Sequence, residues 1–329
     1  MKKTGLMLLL LLAGAAVAQQ ADPVMAAAGA ATDQGSGQAA RAMTVSTHPI
    51  EHLQAPTYAD QYCAGFISKD LLPNASYVAG GLNSPNTTKY VIGDVVYLAG
   101  SGYQEGQQYE ILRELRDPNR FESYKGQHSL VKAVGQPYAE LGRVRIVDTR
   151  NKMAIAQVEY SCEPMLPGDI VAPFQEKPQI SLRPAGRFDR FAPSNGKTSG
   201  RIILARDFDS LLGTGSKVFL NVGANQGVKV GDYFRSVRPY SYDQKDPVDS
   251  ISFKATMAED TQLKPPKMEA SGLMMMSRGS GPMIRVAEFP RRAVGEMIVL
   301  SVTPTTSTAM IIFAPEDTHV GDDVELEQY

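Results

Sequence analysis

The chain has 329 residues, 43% of them hydrophobic and 21% charged, with a formal net charge of −2 at pH 7. That balance excludes a basic domain of the kind that attracts nucleic acid or anionic lipid, and the charges are interspersed as on a solvated globular surface.

Lys2 and Lys3, the apolar run Leu6 to Leu12, and Ala16-Val17-Ala18 read as a secretory signal peptide spanning 1–18, cleaved after Ala18. No cysteine follows the site, so no lipid anchor is expected. The apolar run falls short of the ~20 residues that span a bilayer, and no later segment reaches that length. The mature protein is therefore expected to be soluble and exported, in the periplasm or at the cell surface, and not integral to a membrane. Residues 19–56, rich in Ala, Gln, Gly, Ser and Thr, read as a disordered leader. Export puts Cys63 and Cys162 in an oxidising compartment, so a disulfide between them is expected, with two separate buried thiols as the alternative. Such a bond would tie the first strand of its unit to the last.

From residue 57 the chain reads as β structure. Cys63–Ser68 is expected to be a first strand, followed by a loop rich in Asn, Gly, Ser and Pro from Pro73 to Thr88. Tyr90–Leu98 and Gln108–Arg113 are strand-like, dominated by Val, Ile and Tyr. His128–Val134 suits one or two helical turns. Leu141–Val147 alternates apolar and charged residues, Asp148–Lys152 is a hairpin turn, and Met153–Ser161 is the return strand. Pro164–Val171 closes a first β domain at 57–172. A proline-rich linker, 173–199, precedes a second domain at 200–329.

The second domain repeats the first. Gly200-Arg-Ile-Ile203 is matched to Gly65-Phe-Ile-Ser68, Val218–Leu220 to Val96–Leu98, and Gly231–Arg238 to Gly106–Arg113. Gly295 and Gly321 are separated by the same interval as Gly142 and Gly168. These correspondences predict an all-β chain of two tandem, duplicated, small barrel-like domains. A long insertion at 241–290, containing Met274-Met-Met276, reads as a mobile loop with short ordered pieces. Gly-Asp recurs at Gly93-Asp94, Gly168-Asp169, Gly231-Asp232 and Gly321-Asp322. Glycine supplies φ > 0 at a tight entry into a strand, and aspartate is expected to bond backbone N–H groups two residues on. The wide spacing argues for turn punctuation and against a calcium loop.

Motifs for chemistry are sparse. Gly196-Lys-Thr198 lacks the glycine and the helix of a phosphate-binding loop. Ser194-Asn-Gly-Lys197 lies in the linker without companion motifs. Asp207-Phe-Asp209 reads as a polar loop. The four histidines are not spaced as metal ligands on one element. No catalytic, cofactor or metal residue is assigned.

The run Val218-Phe-Leu-Asn-Val-Gly-Ala-Asn-Gln-Gly-Val-Lys-Val-Gly-Asp-Tyr-Phe234, with Val294-Gly-Glu-Met-Ile-Val299 and Val320-Gly-Asp-Asp-Val324, resembles the C-terminal β domain of the flagellar assembly protein T family. It is also similar to small β domains of LysM-containing bacterial envelope proteins. The resemblance implies a small β-barrel-like module without catalytic residues, used for assembly or attachment. The expected function is that of a non-enzymatic exported envelope protein with a protein partner. A peptidoglycan- or polysaccharide-binding protein and an exported hydrolase are the alternatives.

Overall fold

The computed structural model describes residues 47–49, 55–119, 121–150, 152–183, 187–239, 267–270, 273–274, 283–285 and 289–327. In chain order the strands are Thr47–Pro49 (β1), Phe66–Ser68 (β2), Tyr77–Gly81 (β3), Val95–Ala99 (β4), Gln108–Glu114 (β5), Gln136–Asp148 (β6), Ala154–Ser161 (β7), Ile170–Pro173 (β8), Arg187–Asp189 (β9), Ser199–Ala205 (β10), Leu211–Leu212 (β11), Lys217–Leu220 (β12), Tyr233–Arg238 (β13), Lys267–Ala270 (β14), Leu273–Met274 (β15), Met283–Arg285 (β16), Arg292–Val302 (β17), Ser307–Phe313 (β18), Thr318–His319 (β19) and Asp323–Glu327 (β20). Two helices, Tyr58–Tyr62 (α1) and Gln127–Val134 (α2), lie in the first half. The expected signal peptide, the leader up to residue 46 and the Met274-Met-Met276 side chains lie outside the described residues. Of the insertion, β14 is paired with both β15 and β16.

Two closed, six-stranded antiparallel barrels carry the fold. The first runs β3-β4-β7-β6-β5-β8 and closes through β8 on β3. The second runs β10-β12-β18-β17-β13-β20 and closes through β20 on β10. Strand for strand the two orders are the same, so the internal repeat is a repeat of topology. Each interior is filled by alternate residues of its strands: Val96, Leu98, Ile111, Val144 and Ile146 in the first barrel, and Val218, Leu220, Phe234, Val299 and Ile311 in the second.

One correspondence needs correction. The counterpart of β10 is β3, not β2. β2 lies outside the ring, paired only with β6. Tyr77–Gly81, within the stretch expected to be a loop, supplies the first barrel strand. The reason is local: a Cβ on Gly81 would stand 2.4 Å from the Tyr90 ring. The strand therefore carries glycine where a stronger strand former would collide.

Both barrels use one turn repeatedly. In Val91-Ile-Gly-Asp94, Leu166-Pro-Gly-Asp169, Lys229-Val-Gly-Asp232 and His319-Val-Gly-Asp322 the aspartate N–H donates to the carbonyl three residues back, at 3.0–3.1 Å. The carboxylate in turn accepts that same residue's N–H, at 2.9, 2.6, 2.8 and 2.8 Å. The glycines have φ of +90°, +96°, +89° and +107°, as the third position of a type II turn requires. The aspartates thus bond backward by three residues, not forward by two. Gly168-Asp169 and Gly321-Asp322 are true equivalents, and each carboxylate also takes a two-pronged arginine. Arg113 donates to Asp169 at 2.8 and 2.8 Å, and Arg238 to Asp322 at 2.9 and 2.7 Å.

Gly142 and its equivalent Gly295 differ in how tightly they are held. A Cβ on Gly142 (φ +147°) would lie 2.1 Å from the Tyr160 carbonyl oxygen, whereas on Gly295 its nearest neighbour would be the Thr318 hydroxyl at 2.9 Å. Gly142→Ala is expected to cost at least about 2 kcal/mol, and clearly more than Gly295→Ala, in urea denaturation. Equal losses would refute this account of the close β6–β7 approach.

The barrels are joined by a largely apolar seam. Ile203, Phe219, Ile298, Leu300, Met310 and Ile312 form an apolar outer face on the second barrel. The first half covers it with Ala64, Ile67, Leu130, Val131 and Val134, and the 173–199 segment adds Ile180 and Leu182. Burying so many large apolar side chains contributes on the order of 10 kcal/mol, far more than the exposed ion pairs nearby, each worth about 1 kcal/mol or less. The Thr308 and Thr306 hydroxyls donate to the carbonyls of Gly65, just before β2, and Ile67, within it, at 2.8 and 3.2 Å, and Gln127 donates to the Ile203 carbonyl at 3.1 Å. The described residues from 47 to 327 accordingly belong to one compact unit. The 173–199 segment is pinned in place: the Arg183 guanidinium lies 4.1 Å over the Tyr233 ring and pairs with Glu296 and Glu327. Its β9 pairs with β1, which falls within the expected leader.

Candidate functional site

A groove of about 440 Å³ opens where the barrels meet. Five segments build it: Lys69 and Leu71 after β2, Leu115–Asp117 after β5, one side of α2, Gly135–Pro137 at the start of β6, and Leu204 in β10 with Phe208 after it. Leu71, Leu115, Val131, Leu204 and Phe208 make an apolar floor, and Leu71 is 73% exposed.

α2 is oriented on both sides. Gln127 is buried against β10, and Leu130, Val131 and Val134 pack on Ile203 and Phe219. Glu122 caps its first turn, accepting the Gly126 and His128 N–H groups at 2.9 and 3.0 Å. These bonds hold the Glu122 carboxyl below its ordinary range. The packing turns His128 and Lys132, one helical turn apart, onto the groove. Lys69, Arg116 and Lys132 then face a single lining acid, Asp117, whose carboxylate already accepts the Asn119 N–H at 2.8 Å. Arg116 reaches Glu114 at 3.5 Å on the open surface. The rim is net basic.

Phe208 is the one described non-glycine residue with positive φ, at +63°. A bulky side chain in this left-handed region costs about 1–2 kcal/mol. The turn is held by the Phe208 N–H on the Ala205 carbonyl at 3.1 Å and by Asn119 on the Phe208 carbonyl at 3.2 Å. The outcome is a phenyl ring in the groove floor.

A second cluster surrounds the disulfide. Cys63 and Cys162 are bonded, with Cα atoms 5.8 Å apart. Cys63 is the C-cap of α1 and Cys162 follows β7. The bond therefore ties the α1–β2 arm to the fifth barrel strand, not the first strand to the last. Around it Tyr58 stacks on Tyr62 at 4.3 Å and meets Tyr160 edge-on at 5.2 Å, while Tyr62 stacks on Phe174 at 5.7 Å. Lys177 clasps this arm, donating to the Glu140 carboxylate at 2.6 Å and to the Gln61 carbonyl at 2.7 Å. Glu140 also accepts the Gly65 N–H at 3.0 Å.

Glu110, on β5 opposite Arg143, shares this environment. Burial and then the Glu140 carboxylate push its carboxyl up to about 7, against the pull of Lys177. The folded state thus keeps a proton that the unfolded chain releases from about pH 4.5 upward. The resulting stability is full below pH 4.5 and is lost as pH rises through 7. Glu110→Gln is expected to remove that loss, stabilising the protein by about 2 kcal/mol at pH 8 and little at pH 4. Denaturation midpoints at the two pH values test it, and an equal effect at both would refute it.

None of the four Gly-Asp turns lines the groove. Ser194 and Asn195, from the S-x-x-K spacing, bond Glu325 and the Leu326 carbonyl at 3.0 and 2.8 Å, clipping the linker to β20. Among the described residues no three His, Cys, Asp or Glu side chains converge in a way that could hold a metal ion, and no helix is long and apolar enough to cross a membrane. The chain matches no family model and no curated protein.

Proposed function

We propose that the chain is a non-enzymatic exported envelope protein, a structural or protein-interaction module with a protein partner. The observation that carries this reading is the seam. Two barrels are held in one body by apolar packing, part of it from an arm that the disulfide ties to the first barrel, and the fused body displays an apolar floor edged with charge. The disulfide is compatible with an oxidising compartment, and the resemblance to envelope β modules points the same way.

The test is photo-crosslinking in intact cells from single positions spread over the surface: Leu71, Tyr58, Leu82 and Val147, all exposed. A discrete protein adduct from any of them supports the reading. Recovery of the protein alone from every position overturns it. A second reading, binding to cell-wall polysaccharide, is favoured by the partly exposed Tyr58, Tyr62, Tyr160 and Phe174 rings, because sugar faces stack on aromatic rings. Sedimentation with purified sacculi, lost in Tyr58→Ala, distinguishes it.

A further inference from the structure

We infer that the groove between the barrels binds a short acidic segment of a partner protein, anchored by one or more apolar side chains. The inference rests on the protein-interaction reading above and names its ligand.

Three observations converge. The floor is apolar and partly uncovered: Leu71 stands 73% exposed beside Leu115, Val131, Leu204 and Phe208. At about 440 Å³ the groove is within the ~300–1,000 Å³ of pockets that hold a small ligand, so it admits a segment and not a domain. The rim carries Lys69, Arg116 and Lys132 from three segments against one lining acid, Asp117, with Glu114 3.5 Å from Arg116 on the open surface. An apolar floor supplies affinity, while a basic rim selects and steers acidic partners. Finally, Phe208 holds a left-handed backbone that glycine would adopt without strain, and it holds the ring in the floor. Strained conformations kept in this way cluster at ligand sites.

The experiment selects a random-peptide phage library on the immobilised full chain, with the disulfide intact. Enriched peptides are expected to be rich in Asp and Glu and to carry Leu, Ile, Phe or Met. A fluorescent synthetic copy of the leading peptide should bind about tenfold more weakly to Lys132→Glu and to Leu71→Asp, and more weakly at high salt. Both positions are exposed, and unchanged circular dichroism confirms that the variants fold. Several results overturn the inference: no enrichment, enrichment without acidic residues, or binding that both variants leave intact. Dimerisation abolished by Leu71→Asp would reassign the groove to a second copy of the chain. Binding to phosphatidylglycerol vesicles lost in Lys132→Glu would reassign the rim to a lipid surface. The broader reading falls only if crosslinking finds no partner anywhere, so adducts from Tyr58 or Val147 without one from Leu71 would sink the groove alone.

Discussion

Arg238→Ala is expected to destabilise the second barrel by about 3–5 kcal/mol, the range for removing one partner from a buried ion pair. The Asp322 side chain is 0% exposed and Arg238 11%. With the guanidinium gone, the buried carboxylate keeps, among the described residues, the His319 N–H. The equivalent substitution in the first barrel, Arg113→Ala, should cost less, because Arg113 is 29% exposed and solvent can replace part of what it gives Asp169. Chemical denaturation of the two variants compares sites of identical design and different burial. The double variant Arg238→Met/Asp322→Leu should recover most of the loss, since replacing a whole buried pair with apolar groups is often neutral. If Arg238→Ala costs no more than Arg113→Ala, burial is not what makes the second pair matter.

Removing the disulfide by Cys63→Ser and Cys162→Ser is expected to cost about 4–5 kcal/mol at most, the chain-entropy value for a closed loop near 100 residues, with the two cysteines 99 apart in sequence. The loss should be uneven. Both barrels close through strand pairing alone, so the bond acts on the arm that carries α1, Ala64 and Ile67 over the second barrel. Hydrogen exchange after reduction should therefore rise first at residues 63–68, with the β5–β6 and β17–β18 amides still protected. Uniform acceleration through the first barrel would mean that the bond holds the ring itself.

What the sequence shows and hides follows from where each signal comes from. Turn residues act locally, so the Gly-Asp turns and the strands they introduce were legible. Tyr77–Gly81 was hidden because, after Val78 in the barrel core, its buried positions are Gly80 and Gly81, and Gly81 makes room for the Tyr90 ring. In β17 and β18 there is no alternation but the unbroken runs Met297–Leu300 and Ala309–Ile312, because both faces are covered, one by the barrel interior and the other by the seam. Those runs were the available sign of a packing partner. The groove was illegible. Lys69, Leu115 and Val131 come from three segments of the first half and meet Leu204 and Phe208 where the second barrel packs on them, and no spacing along the chain records that.

The seam also imposes an order of events. Synthesis proceeds from the N-terminus, and the pieces that clothe the second barrel (β2, α2 and the segment holding Ile180 and Leu182) all precede it. A growing chain that has completed the first barrel presents Ile67, Leu130, Val131 and Val134 to water, with nothing yet made to receive them. The later barrel is thus the first one's missing cover, and any delay or premature stop beyond residue 199 leaves a ready surface for aggregation.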